Sequence, residues 1–137
     1  MATSSHWENG ESFLMLGADL CEDVGTNARI KPLHLRLIFL AFSRVNSIGH
    51  AEFAPGELAR ALGDVDRYGE ILPAKRSTVN TAIRKAIETA AILPGSGERC
   101  LILNGDVKRG RSTNYCTWHK LNTDRRRKRS TLVPHVA

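Results

Sequence analysis

Two sets of residues in this chain have types and spacings suited to chemistry, and the chemistry differs. The first is cationic: Lys75 and Arg76 stand directly before Ser77 and Thr78, Thr81, Arg84 and Lys85 follow at helical spacing, and Lys108, Arg109 and Arg111 surround Gly110. Such groups bind phosphate oxygens, and each phosphate neutralised releases condensed counterions. Arg125, Arg126, Arg127, Lys128 and Arg129 add a run of like charge, expected to be disordered and to contribute affinity independent of sequence. The second set is soft: Cys100, and then Cys116 and His119 within Cys-Thr-Trp-His. Thiolate and imidazole at this spacing suit zinc, with Cys21 the remaining thiol that would supply a fourth ligand. Strand alternation sends Cys116 and His119 to opposite faces unless the chain turns between them. The expectation is therefore buried cysteines, a surface histidine, no metal and no cofactor.

Catalytic constellations are not evident. Gly95-Ser96-Gly97 reads as a turn and not as a phosphate loop, and His34 and His50 have no nucleophile or carboxylate at informative spacing. The chain is expected not to be an enzyme. Its 137 residues suffice for one compact domain. With 42% hydrophobic residues but only 6% aromatics, the core must be mostly Leu, Ile, Val and Ala, which favours packed helices. The net charge of +6 is unevenly placed: residues 1–28 hold five acids and no Lys or Arg, whereas residues 108–129 hold nine basic residues against Asp124 alone. No apolar run approaches the roughly 18 to 20 residues that span a bilayer, and Met1 to Gly10 lacks the regions of a signal peptide. A cytoplasmic, nucleoid-associated location is expected. Three cysteines, an odd number, read as free thiols.

The elements that must position these residues follow from periodicity and punctuation. Residues 1–12 read as a disordered acidic N-terminus, 13–120 as the folded domain, and 121–137 as a basic disordered tail. Ser12 to Leu20 contains an apolar run short enough for a strand, and Cys21 to Ala28 reads as a loop. Pro32 opens a helix through Leu33 to Val45 that is apolar nearly all round, hence either the central core helix or part of a dimer contact. Gly49 closes it. Pro55 starts a short helix through Leu62, stopped by Gly63, and a long polar connection runs to Lys75. Ser77 is a good N-cap for a third helix reaching Ile92, before Pro94 and Gly95. Rotation of about 100° per residue puts Val79, Ala82, Ile83, Ala86, Ile87 and Ala90 on one face of it, and Thr81, Arg84, Lys85 and Glu88 on the other. Arg99 to Asn104 and Thr113 to His119 then read as two strands around the basic loop Gly105 to Ser112.

Gly-Glu-Leu-Ala-Arg-Ala-Leu-Gly at 56–63, Ser-Thr-Val-Asn-Thr-Ala-Ile-Arg-Lys-Ala-Ile at 77–87 and Lys-Arg-Gly-Arg-Ser-Thr-Asn-Tyr at 108–115, in this order, resemble the winged helix-turn-helix DNA-binding family. Within it the chain looks most like small regulators encoded by actinobacteria and their phages. The resemblance covers roughly residues 33–119. It implies a mainly α fold with a small β-hairpin wing (α+β), a recognition helix 77–92 in the major groove, and a basic wing 105–112. The DNA-binding residues would be Lys75, Arg76, Ser77, Thr78, Thr81, Arg84, Lys85, Lys108, Arg109 and Arg111. Arg84 is the candidate for reading guanine in bidentate fashion. The partner is then double-stranded DNA, engaged in transcription regulation by a homodimer on half-sites about 34 Å apart, with no membrane involved. The connection from Gly63 to Lys75 departs from the family, where the turn is about 3 to 4 residues. Two other readings stand beside this one. One is a replication or plasmid and phage maintenance factor that binds DNA; the other is an interaction module docking a protein through the acidic N-terminal 28 residues. RNA is disfavoured because aromatics for stacking are few.

Overall fold

The computed structural model of the chain describes residues 14–110 and 113–122. The N-terminal segment 1–12, Arg111, and the basic run Arg125 to Arg129 lie outside the described residues. In chain order the elements are α1 (Ala18–Thr26), α2 (Leu33–Arg44), β1 (His50–Glu52), α3 (Glu57–Ala61), β2 (Asp64–Val65), β3 (Ile71–Leu72), α4 (Arg76–Glu88), β4 (Cys100–Ile102), β5 (Tyr115–Cys116) and β6 (Leu121–Asn122). The strands pair antiparallel as β1–β4, β2–β3 and β5–β6. Helices and small antiparallel sheets in one chain make this an α+β fold.

The all-round apolar helix is the centre of the core. Leu37, Ile38, Leu40 and Ala41 of α2 are buried, and the helix packs on α1, α4 and β1. Most of its apolar surface is therefore covered within one chain, as a core helix requires, while Leu35 remains exposed.

The strand expected from Ser12 to Leu20 and the loop expected from Cys21 to Ala28 are both corrected. Leu14 to Gly17 have no regular structure and α1 begins at Ala18, with Asp19 in the first turn, where a carboxylate complements the helix dipole. Cys21 and Gly25, one turn apart, are its buried positions. A side chain at Gly25 would collide with Leu40 of α2, so the glycine permits close packing of the two helices.

Arg36 of α2 is only 3% exposed. Its Nε donates to Gly25 O at 2.9 Å and an Nη to Ala61 O at 3.0 Å. These carbonyls lie in the last turns of α1 and α3, where no intrahelical amide remains to satisfy them. One guanidinium thus caps two helices from the side. Burial pushes its pKa down and Asp64 pulls it back up; the group stays charged. At the other end of α2, Arg44 pairs with Glu57 and lies 4.9 Å over the Phe53 ring. The hydrogen bond from Arg44 holds the Glu57 carboxyl below its ordinary pKa.

The connection between α3 and α4 is a hairpin. Val65 pairs with Ile71 and Asp64 with Leu72, and the tip is closed by Asp66, whose carboxylate accepts Tyr68 and Glu70 N–H. The ends return to one another: Ala74 N–H donates to Ala59 O at 2.9 Å, and a side chain at Gly63 would strike the Leu72 carbonyl. The helices are accordingly joined as if by a short turn. Gly63→Ala is expected to cost about 1–3 kcal/mol, the usual penalty for overpacking, with chemical denaturation as the check.

After α4, Ile92 bridges Leu103 and Leu93 N–H donates to Ile102 O at 2.8 Å, so residues 91–104 form a tight hairpin turning at Pro94 to Arg99. Its second arm, β4, also pairs with β1 in the register His50–Ile102, Ala51–Leu101 and Glu52–Cys100. The expected pairing of Arg99–Asn104 with Thr113–His119 does not occur, because β4 already has partners on both edges. The loop 105–112 is therefore not the tip of a hairpin between those segments. Among the described residues, no helix is long and apolar enough to cross a membrane.

Candidate functional site

Two surfaces gather the residues singled out by chemistry. The first is the outer face of α4. The helix starts at Arg76 with Lys75 at its cap position, not with Ser77 as N-cap, and ends at Glu88 short of Ile92. Ile92 is drawn into the following hairpin, and Ala90 takes a positive φ of 68° that breaks the helix. Val79, Ala82, Ile83 and Ala86 are buried; Lys75, Arg76, Ser77, Thr78, Arg84 and Lys85 are exposed, and Thr81 is half-buried. Arg84 and Thr81 touch at 3.4 Å. Asn80 is also exposed, one turn before Arg84 and on the same side. The same helical rotation could have placed it there, and an Asn at this position offers an amide able to bond adenine.

Lys108 is exposed, whereas Arg109 is folded onto the body. Its N–H donates to Asn46 O at 3.2 Å and its guanidinium to Ser43 O at 2.9 Å. Arg109 thus holds the loop to the end of α2. Arg99, in the 91–104 hairpin, donates to Phe53 O at 2.9 Å and lies 4.7 Å over the Trp118 ring.

The second surface is the outer side of the β1–β4 sheet. Alternation sends Ala51 and Leu101, which are fully buried, to the core, and leaves His50, Glu52 and Cys100 on the opposite side. His50 lies diagonal to Cys100 across the register, and His50 Nδ1 is 3.5 Å from Cys100 Sγ. The β5–β6 turn closes over them. Cys100 Sγ is 3.6 Å from Cys116 Sγ, and Cys116 Sγ is 3.5 Å from His119 Nδ1. The His50 and His119 rings meet edge-on with centroids 5.0 Å apart.

The objection from strand alternation falls because β5 ends at Cys116 and the chain turns through Thr117 to Lys120, with Lys120 at φ 57°. Cys116 and His119 therefore face the same point, and His119 N–H donates to Cys116 Sγ at 3.3 Å. Glu52 fixes this turn: its carboxylate accepts Thr117 N–H at 3.1 Å and Trp118 N–H at 3.2 Å. Asn46 donates to Tyr115 O at 3.0 Å and anchors the preceding strand. Cys21, the fourth ligand considered from sequence, is buried on α1 and does not join this cluster. His50, read from sequence as an isolated histidine, takes that place.

The cluster is chemically distinctive. Burial, then Cys116 alongside it, pushes the Cys100 thiol well up. Burial and the neighbouring His119 push His50 down, with Glu52 opposing. The sulfurs do not form a disulfide, whose S–S length is about 2.05 Å, and all three cysteines are free. Comparisons of the chain with protein families, with curated proteins and with solved structures found no match.

Proposed function

We propose that the chain is a sequence-specific double-stranded DNA-binding protein of the winged helix-turn-helix type, acting as a transcriptional regulator, with α4 as the reading helix. The observation that carries this reading is the outer face of α4, where Arg76, Ser77, Asn80 and Arg84 stand exposed on a helix whose opposite face is buried. A helix so presented fits the major groove, with Lys75 and the first-turn amides meeting phosphate. Two features of the architecture support it. The β2–β3 hairpin lets α3 and α4 approach as a helix-turn-helix pair despite the long connection. The 91–104 hairpin follows the reading helix directly, as a wing does, and replaces loop 105–112 in that role. Steering by net charge +6 adds to association with a polyanion.

The test is selection of bound duplexes from a random pool at about 150 mM salt, where nonspecific phosphate affinity is suppressed. A defined motif is expected, palindromic if the chain binds as a homodimer. Arg84→Ala should weaken binding by about 1–3 kcal/mol and relax one position of the motif. Lys75→Ala should weaken all sequences alike and reduce the salt slope by about 1. Failure to enrich any motif would remove sequence-specific reading. If a stable protein complex through the acidic N-terminal 28 residues were found instead, docking of a partner would replace it.

A further inference from the structure

We propose that His50, Cys100, Cys116 and His119 bind one zinc ion in a closed tetrahedral site that joins the β5–β6 turn to the β1–β4 sheet. Zinc bonds of about 2.3 Å to sulfur and 2.0–2.1 Å to nitrogen make tetrahedral edges of about 3.8 Å between sulfurs and about 3.5 Å between sulfur and nitrogen. The observed separations are 3.6 Å between the sulfurs and 3.5 Å for each sulfur–Nδ1 neighbour. No two ligand atoms are more than 4.8 Å apart, so the widest pair, which includes an imidazole nitrogen, closes by at most about 1.5 Å to reach a tetrahedral edge, within the reach of side-chain torsions. Hydrogen-bonded thiols and imidazoles in a metal-free core would not need four ligand atoms to converge on one point.

The surroundings match a metal site beyond its ligands. A zinc-bound imidazole hands its other ring nitrogen to an acceptor, and His119 Nε2 lies 3.1 Å from Gly95 O, which leaves Nδ1 for the metal. The backbone N–H of His119 points at Cys116 Sγ, an interaction that stabilises thiolate charge. Glu52 holds the turn through two N–H groups and is a positioning residue. Two thiolates balance the dication, and their two protons leave to solvent on binding. A mixed two-sulfur, two-nitrogen tetrahedron favours zinc among the divalent ions. Four protein ligands, three of them buried, leave no open position for a reacting water, so the ion is structural. This proposal stands independently of DNA binding.

The test uses the full chain without a histidine tag, purified without chelator from zinc-supplemented cells. Elemental analysis should give about one zinc per folded chain, as a closed four-ligand site requires. Exchange for cobalt(II) should give intense tetrahedral ligand-field bands in the red and thiolate-to-metal charge transfer in the near ultraviolet. Cys116→Ser and His119→Ala should lose the metal, and Glu52→Gln should bind zinc about 10- to 100-fold more weakly in competition with a chromogenic chelator. Should a ligand variant fail to fold, the cobalt spectrum of the parent chain decides alone. Folded parent chain that carries no zinc and gives an octahedral cobalt spectrum, or ligand variants that keep full stoichiometry, would overturn the proposal.

Discussion

Arg36→Met is expected to melt about 10 °C below the parent chain, a loss of roughly 3 kcal/mol at this size. Methionine fills a similar volume and removes the cost of burying a charge, so the loss isolates the hydrogen bonds. What remains are Gly25 O and Ala61 O at two helix ends, each stripped of its donor in a buried setting at about 1–3 kcal/mol. Arg36→Lys keeps the charge but not the planar fork that reaches both carbonyls, and should fall between. A melting temperature for Arg36→Met within about 2 °C of the parent would mean that the two carbonyls find other partners and that the guanidinium carries little.

The second large effect belongs to the inner side of the same sheet that carries the cysteine–histidine cluster. Leu101 is fully buried, as are Ala51 opposite it and Leu37 of α2 within the same apolar core. Leu101→Ala should therefore cost about 3–4 kcal/mol, within the range for leucine truncations that leave a cavity. Because Leu101 and Cys100 point to opposite sides, the variant should keep the cluster's ligands in place wherever it folds. Urea denaturation measures the cost, and metal stoichiometry on the same sample separates the two faces. A loss below about 1 kcal/mol would mean that the core collapses around the gap.

The helices were legible where punctuation and periodicity agree. Pro32 opens α2, which ends at Arg44 ahead of the turn that holds Gly49, and Gly63 follows the C-cap of α3. The inner face of α4 follows from its apolar spacing with no knowledge of the fold. Where the reading failed, short or non-local structure was responsible. The apolar run before α1 imitates a strand, and what decides for a helix is Gly25 packing on Leu40, a contact far along the chain. β1 is three residues, His-Ala-Glu, too short to show alternation. A hairpin was expected around the basic loop because charge drew attention there, while the hairpin that forms spans residues 91–104 and its first arm is hidden in the last turn expected of a helix. The cluster was three-quarters legible. Cys100, Cys116 and His119 carry the spacing, but His50 lies 50 residues before Cys100 and joins it only through the register of β1 on β4. Alternation was also the wrong rule at Cys116, since it holds only while the strand continues.

The β2–β3 hairpin frees this chain from a constraint on length. Its feet meet at Gly63 and Pro73, so whatever lies between them sets neither the spacing nor the angle of α3 and α4. Extra residues spliced at the tip beside Gly69, which is exposed at φ 84°, lengthen a loop whose closure cost grows only slowly with size. The same splice in the loop after β4 would pull Arg109 from Ser43 and drag the β5–β6 turn with it. The tip is thus the place to graft a fluorophore or an epitope, and a natural point at which related sequences can drift in length while the helices stay in register.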